Sequence, residues 1–175
     1  MSSVTATRAA GRPRDPQLDE RVLAATRELL VEVGWDAMSV RGIAERSGVS
    51  RAAIARRWPS RPHLALDAIL GFAPDLSRFE GTDHAGWVAA LVDGAFELFD
   101  RPEVRAAVPG LLAALRDHDD LRIALWTGFG LPAAELTTED ASSAIAVAAG
   151  AALFASIVAP EEAASVRRRL VESLT

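Results

Sequence analysis

"SVRGIAERSGVSRAAIARRWPSRPHLAL" (Ser39–Leu66) places six arginines and a short glycine turn within 28 residues of a chain whose net charge is −5. Its punctuation decides the fold. Ser39 stands before "VRGIAERS", Gly48 ends that segment, Ser50 stands before "RAAIARRW", and Ser60 with Pro62 opens "RPHLALDAILGF". A serine oxygen can accept the free amides of a first helical turn, proline fits that turn, and glycine adopts the left-handed closing conformation. The spacing therefore predicts three short helices in succession. Two short helices joined by a glycine-containing turn form a helix-turn-helix, whose second helix enters the major groove while the first crosses the backbone. Val40, Ile43, Ala44, Val49, Ile54 and Trp58 can make its small core. That leaves Arg51, Ala52, Ala53, Ala55, Arg56 and Arg57 for the outer faces, where small residues permit close approach and arginines meet phosphate or guanine.

Upstream of this stretch, Leu18, Val22, Ala25, Leu29 and Val33 recur near a helical period and stop at Gly34, a first helix with its C-terminal glycine. The charge is divided along the chain. Residues 1–64 hold 11 Arg against 7 acids, and residues 65–175 hold 8 Arg against 17. All 19 basic side chains are arginine, whose planar fork suits phosphate and guanine edges better than lysine does. Half the residues are apolar, as in a folded globular chain, and 175 residues suit one domain or a small module on a larger helical one. There is no cysteine, which excludes disulfides and thiolate chemistry and fits a cytoplasmic location. The opening "MSSVTATRAAGRPRDP" has no apolar core of a secretory signal. The longest apolar run, Ala144–Ala159, is alanine-rich and shorter than the roughly 20 residues of a membrane span. It is expected to be a buried helix, with no membrane partner.

"SVRGIAERSGVSRAAIARRWPSRPHLAL", preceded by a helix ending "LLVEVGWDAMS", resembles the N-terminal DNA-binding domain of the TetR family of transcriptional repressors, over about Leu18–Leu70. Helix lengths, the "IA", the "GVS" and the aromatic-Pro-Ser-basic segment fall in register. The resemblance implies DNA contacts from Ser39, Arg41, Ser50, Arg51 and Ala53. Ala52, Ala55, Arg56, Arg57 and Arg61 complete the candidate interface by their places on and after the third helix. Where the family usually carries tyrosine, histidine, phenylalanine and lysine, this chain has Ala55, Arg57, Trp58 and Arg61. Trp58 is a bulkier core plug, Arg57 and Arg61 keep phosphate-binding potential, and Ala55 removes a phosphate or thymine-methyl contact. Arg41 lies in the first turn of its helix, where the dipole favours phosphate. Arg21 and Arg46 read as surface or ion-pairing residues, and Arg8, Arg12 and Arg14 as a flexible arm over residues 1–16.

The predicted organisation is all-α, with a helix-turn-helix domain at 17–60 and a larger helical domain at 61–175 for ligand binding and dimerisation. Helices are expected from about His84 to Phe99, from Pro102 with an interruption or kink at Pro109 and Gly110, across "DLRIALWTGFG", from "TTED" (Thr137–Asp140) onward, and after Pro160. Phe72, Trp87, Phe96, Phe99, Leu111, Leu115, Trp126 and Phe129 are the candidate walls of a small-molecule pocket, because such sites are mostly apolar and aromatic. Ala163, Val166, Leu170 and Leu174 form a stripe on the last helix. The resemblance implies that the last two helices, about 138–174, pair with a second copy of the chain. Double-stranded operator DNA, a second subunit and an unidentified, hydrophobic small molecule are the expected partners. No cofactor or metal site is expected. The three histidines lack metalloprotease spacing, no phosphate loop or nucleophile elbow is present, and neighbours in "RDHDD" point in different directions along a helix. An enzyme is therefore not expected, and a ligand-independent DNA-binding or architectural protein is the alternative.

Overall fold

A computed structural model describes residues 16–71, 76–127 and 141–175 of the chain. The described residues form helices and contain no strand. In order these are α1 (Pro16–Ala37), α2 (Val40–Ser47), α3 (Arg51–Ala55), α4 (Arg61–Leu70), a 3-10 turn at Ser77–Phe79, α5 (His84–Asp100), α6 (Pro102–Asp117), α7 (Asp119–Leu125), α8 (Ala141–Val158) and α9 (Ala163–Leu174). The expected arm, the "TTED" segment, Phe72 and Phe129 lie outside the described residues.

Helix α1 buries Val22, Leu23, Thr26, Leu29 and Leu30, the stripe that a 3.6-residue period produces. The Thr26 hydroxyl donates to the Val22 carbonyl at 2.8 Å, so its polar atom is satisfied within the helix. Gly34 interrupts the helix at φ 74°, ψ 178°, a conformation only glycine enters readily. The chain then turns into α2. Ser39 caps α2 by accepting from the Gly42 amide at 3.1 Å, Gly48 closes it in the left-handed region at φ 68°, and Ser50 caps α3 by accepting from the Ala53 amide at 3.2 Å. Helix α3 is shorter than the expected two turns. It gives way after Ala55 to a turn in which the Trp58 amide donates to the Ile54 carbonyl, because a residue before proline resists the helical region. Ser60 also differs from the expected cap. Its hydroxyl is bonded to His63 Nδ1 at 2.8 Å.

The remaining differences lie in the larger half. Helix α6 runs unbroken through Pro109 and Gly110, although Pro109 has no amide to donate to the Arg105 carbonyl. The last segment opens with a 3-10 turn at Pro160–Glu162 before α9. Helix α8 has the length and apolarity of a membrane span. It packs Ala144, Ala148, Ala152 and Ala155 into the protein core.

Two apolar cores result. One joins Val22, Leu23, Leu30, Ile43, Ile54, Trp58 and Leu64 to Val104, Ala107, Val108 and Leu111 of α6 and Leu121 of α7. Helices α1 and α4 pack directly on α6, and α2 and α3 are carried on α1. The other gathers Trp87, Val88, Leu91, Val92 and Phe96 of α5 with the alanines of α8. Ala163, Val166, Leu170 and Leu174, the expected stripe of α9, close this second core from within the same chain. Phe99 packs against both cores.

Candidate nucleic-acid interface and ligand cavity

The candidate DNA-binding residues divide by environment. Arg51, Ala52, Ala55 and Arg56 are exposed on and just after α3, and the two arginines make no ion pair among the described residues. Ser39 and Ser50 are exposed at the starts of α2 and α3, their hydroxyl oxygens holding backbone amides. Arg41 is exposed and pairs with Glu45 one turn on at 2.8 Å. Such exposed pairs contribute little, so a phosphate can replace the carboxylate at small cost.

Ala53, Arg57 and Arg61 depart from the outward placement expected for them. Ala53 is 8% exposed and belongs to the first core, leaving Ala52 and Ala55 as the small outer residues of α3. Arg57 folds inward to a close ion pair with Asp19, and the two side chains are 16% and 7% exposed. Arg61 donates to the carbonyls of Trp35 and Met38, at 3.0 Å each, and its guanidinium lies 4.6 Å from the centre of the Trp35 ring. Trp58 uses its extra polar atom in the same region: the indole N–H donates to Asp67 at 2.8 Å, joining the end of α3 to α4. Arg46, read as ion-pairing, bonds Glu32 of α1 at 2.6 Å. That hydrogen bond, with the charge behind it, holds the Glu32 carboxyl below its ordinary value.

Asp19 was not singled out in the sequence, although a signal existed. It falls on the stripe Asp19, Val22, Leu23, Thr26, so helical spacing alone turns this acid inward. An inward acid requires a cation, and Arg57 supplies it.

Between the two cores lies a cavity of about 280 Å³, near the lower end of the range for small-molecule sites. Its wall comprises Leu66, Ile69 and Leu70 of α4, Leu98 and Phe99 of α5, Val104, Val108, Leu111, Leu112 and Leu115 of α6, Leu125 and Trp126 at the end of α7, and Ile145, Ala146, Ala149 and Leu153 of α8. Every one of these side chains is apolar, apart from the indole nitrogen of Trp126. Four expected residues, Phe99, Leu111, Leu115 and Trp126, are among them. Trp87 and Phe96 are not, being committed to the second core. Leucines and valines make up most of the wall, and in sequence they are indistinguishable from ordinary core residues.

Residues 22–68 match the family described as bacterial regulatory proteins, tetR family. The chain is similar to the HTH-type transcriptional regulator YdeS of Bacillus subtilis, with 42% identity over 88 residues, 50% of this chain and 43% of that protein. It therefore spans less than half the length of that relative. Its fold is similar to that of a TetR transcriptional regulator from Rhodococcus sp. RHA1 (TM-score 0.67, 20% identity, 91% of this chain and 95% of that one). It is also similar to NalD, the secondary repressor of the MexAB-OprM multidrug efflux pump in Pseudomonas aeruginosa (TM-score 0.57, 16% identity, 92% and 98%). The capped α2–turn–α3 unit and the match over residues 22–68 make the N-terminal part of the chain similar to the bacterial regulatory proteins of the tetR family.

Proposed function

We propose that the chain is a cytoplasmic repressor that occupies palindromic operator DNA as a homodimer and releases it when a small hydrophobic molecule enters the cavity. The observation that carries this reading is the outer face of α3, where Arg51, Ala52, Ala55 and Arg56 are exposed side by side at the second helix of the turn. Alanines let the helix backbone approach base edges, and two arginines unpaired among the described residues can meet guanine or phosphate. Arg41 adds a phosphate contact from the first turn of α2. The role expected of Arg57 and Arg61 becomes one of holding α3 and the α1–α2 link in place for those contacts.

Dimerisation is supported by α8. It leaves Val147, Phe154, Ile157 and Val158 between 46% and 61% exposed, with Gly150 open to close approach. This apolar face continues from the helix that closes the second core, and a second copy of the same face is self-complementary in a two-fold dimer. Two recognition helices then meet successive major-groove faces about 34–36 Å apart. The cavity supports ligand response over a ligand-independent architectural role, and its wall selects a ligand whose buried part carries no charge and few hydrogen-bonding groups. Release follows if the ligand binds better to an arrangement of the heads that misses successive grooves.

Selection from random duplexes tests the reading. Enrichment of one palindromic sequence is expected, and Arg51→Ala should weaken the selected duplex by roughly 1–3 kcal/mol while relaxing its preference at one position. Recovery of no common sequence overturns the repressor assignment.

A further inference from the structure

We infer that Trp35, seated on Gly110, is a positioning residue that conveys the state of the cavity to the DNA-binding face. This rests on the regulatory reading above, but the joint it describes is defined by geometry alone. A Cβ built on Gly110 would lie 1.8 Å from Cε2 of Trp35 and 2.0 Å from its Nε1. The indole therefore fills the space of the missing side chain and rests on the α6 backbone, and glycine is required there. The ring also faces the guanidinium of Arg61, the first residue of α4. Arg61 also grips the main chain around Trp35 through the carbonyls of Trp35 and Met38. One side chain is thus held by α6 and α4 together.

The same two helices form much of the cavity wall. Val108 and Leu111, beside Gly110 in the chain, line it from α6, and Leu66, Ile69 and Leu70 line it from α4. A molecule between them bears on both. Pro109 gives α6 a place to yield, since the proline removes the amide that would bond the Arg105 carbonyl one turn back. The motion has a short path outward. Met38, whose carbonyl Arg61 holds, immediately precedes Ser39, the cap of α2 at the proposed DNA face, and Gly34 on the other side already frees this link from α1. Trp35 contacts neither cavity nor DNA in this scheme. It sets the angle between α6 and the α1–α2 link that carries the α2–α3 unit.

The test fills the cavity from the far wall, through Ala149→Phe on α8, so that no ligand need be known. Hydrogen exchange at the α2 amides is measured in wild type, A149F, W35L and the double variant, and affinity for the selected duplex is measured in the same four proteins. A149F is expected to speed exchange at α2 and to weaken DNA binding about tenfold, with both effects falling to twofold or less in the W35L background. Equal effects with and without Trp35 overturn the inference. Gly110→Ala is the second variant, because its Cβ displaces the indole without altering the cavity wall. It should reproduce the α2 exchange change of A149F, and unchanged exchange at α2 also overturns the inference. Since exchange is read without DNA, failure of the operator assignment leaves this result standing, and failure of the joint leaves operator binding intact.

Discussion

Arg56 and Arg57 are neighbours in the chain and opposite in environment, one exposed and the other closed over Asp19. The difference governs what each substitution does. Arg57→Ala leaves a buried carboxylate without its cation, and losses from such breaks run to about 3–5 kcal/mol, so a marked fall in Tm is expected. Arg56→Ala should leave Tm within error and instead reduce the salt dependence of DNA binding by about one phosphate contact. Thermal unfolding and salt titration of both variants check the assignment, and a stable R57A protein would show that Asp19 needs no partner. The local sequence around Arg57 marks it as one more basic residue of a cluster, and its inward turn is legible only with Asp19, 38 positions upstream, in view. Ala53 illustrates the same limit. Its small size suits a base-facing position and a core position equally, and only the packing of α3 on its neighbours separates them.

At the scale of the elements, caps and glycine stops were legible because they are local. Ser39, Gly48 and Ser50 act where the spacing puts them. Helix α6 was less legible. Pro109 and Gly110 together read as a break, yet the helix continues because Ala107, Val108 and Leu111 anchor it in the first core on both sides of that point. The start of α6 is fixed in another way. Arg101 donates to the Ile69 carbonyl at 2.9 Å and to Glu103 at 2.7 Å, tying the end of α4 to α6 across the cavity wall. Burial pushes the Glu103 carboxyl up most strongly, but its backbone hydrogen bond and the Arg101 pair together outweigh that and hold it below the ordinary value of 4.5. A depressed carboxylate stabilises the fold above its unfolded pKa, and that stabilisation is lost as pH falls through the lower folded value. Urea unfolding between neutral pH and about pH 3 should therefore show wild type losing stability below 4.5 more steeply than Glu103→Gln. Parallel curves would mean that the pair contributes nothing to acid sensitivity.

For the whole molecule, the arrangement of two cores around a cavity was beyond sequence reasoning, because it depends on α1 packing against α6 across some 80 residues of chain. Apolar stripes identify which face of a helix is covered, but not which helix covers it. The stripe of α9 packs on the chain's own second core, and the exposed large apolar side chains of the last two helices lie on α8. Phe154→Glu places a charge at the centre of that face, where the side chain is 60% exposed and its replacement leaves the core intact. Sedimentation should show a lighter species than wild type, with weaker operator binding, and an unchanged sedimentation coefficient would overturn the proposed dimer contact on α8. The cavity lies on another side of the same helix and has a consequence for what the protein can discriminate. With leucine, valine and alanine for most of its wall, it has little means of reading the functional groups of an occupant. Each methylene changes affinity by about 0.8 kcal/mol, or some fourfold, and an added hydroxyl is rejected only weakly by such surroundings. The proposed sensor would measure bulk and greasiness, with a response graded over a homologous series of compounds instead of keyed to one.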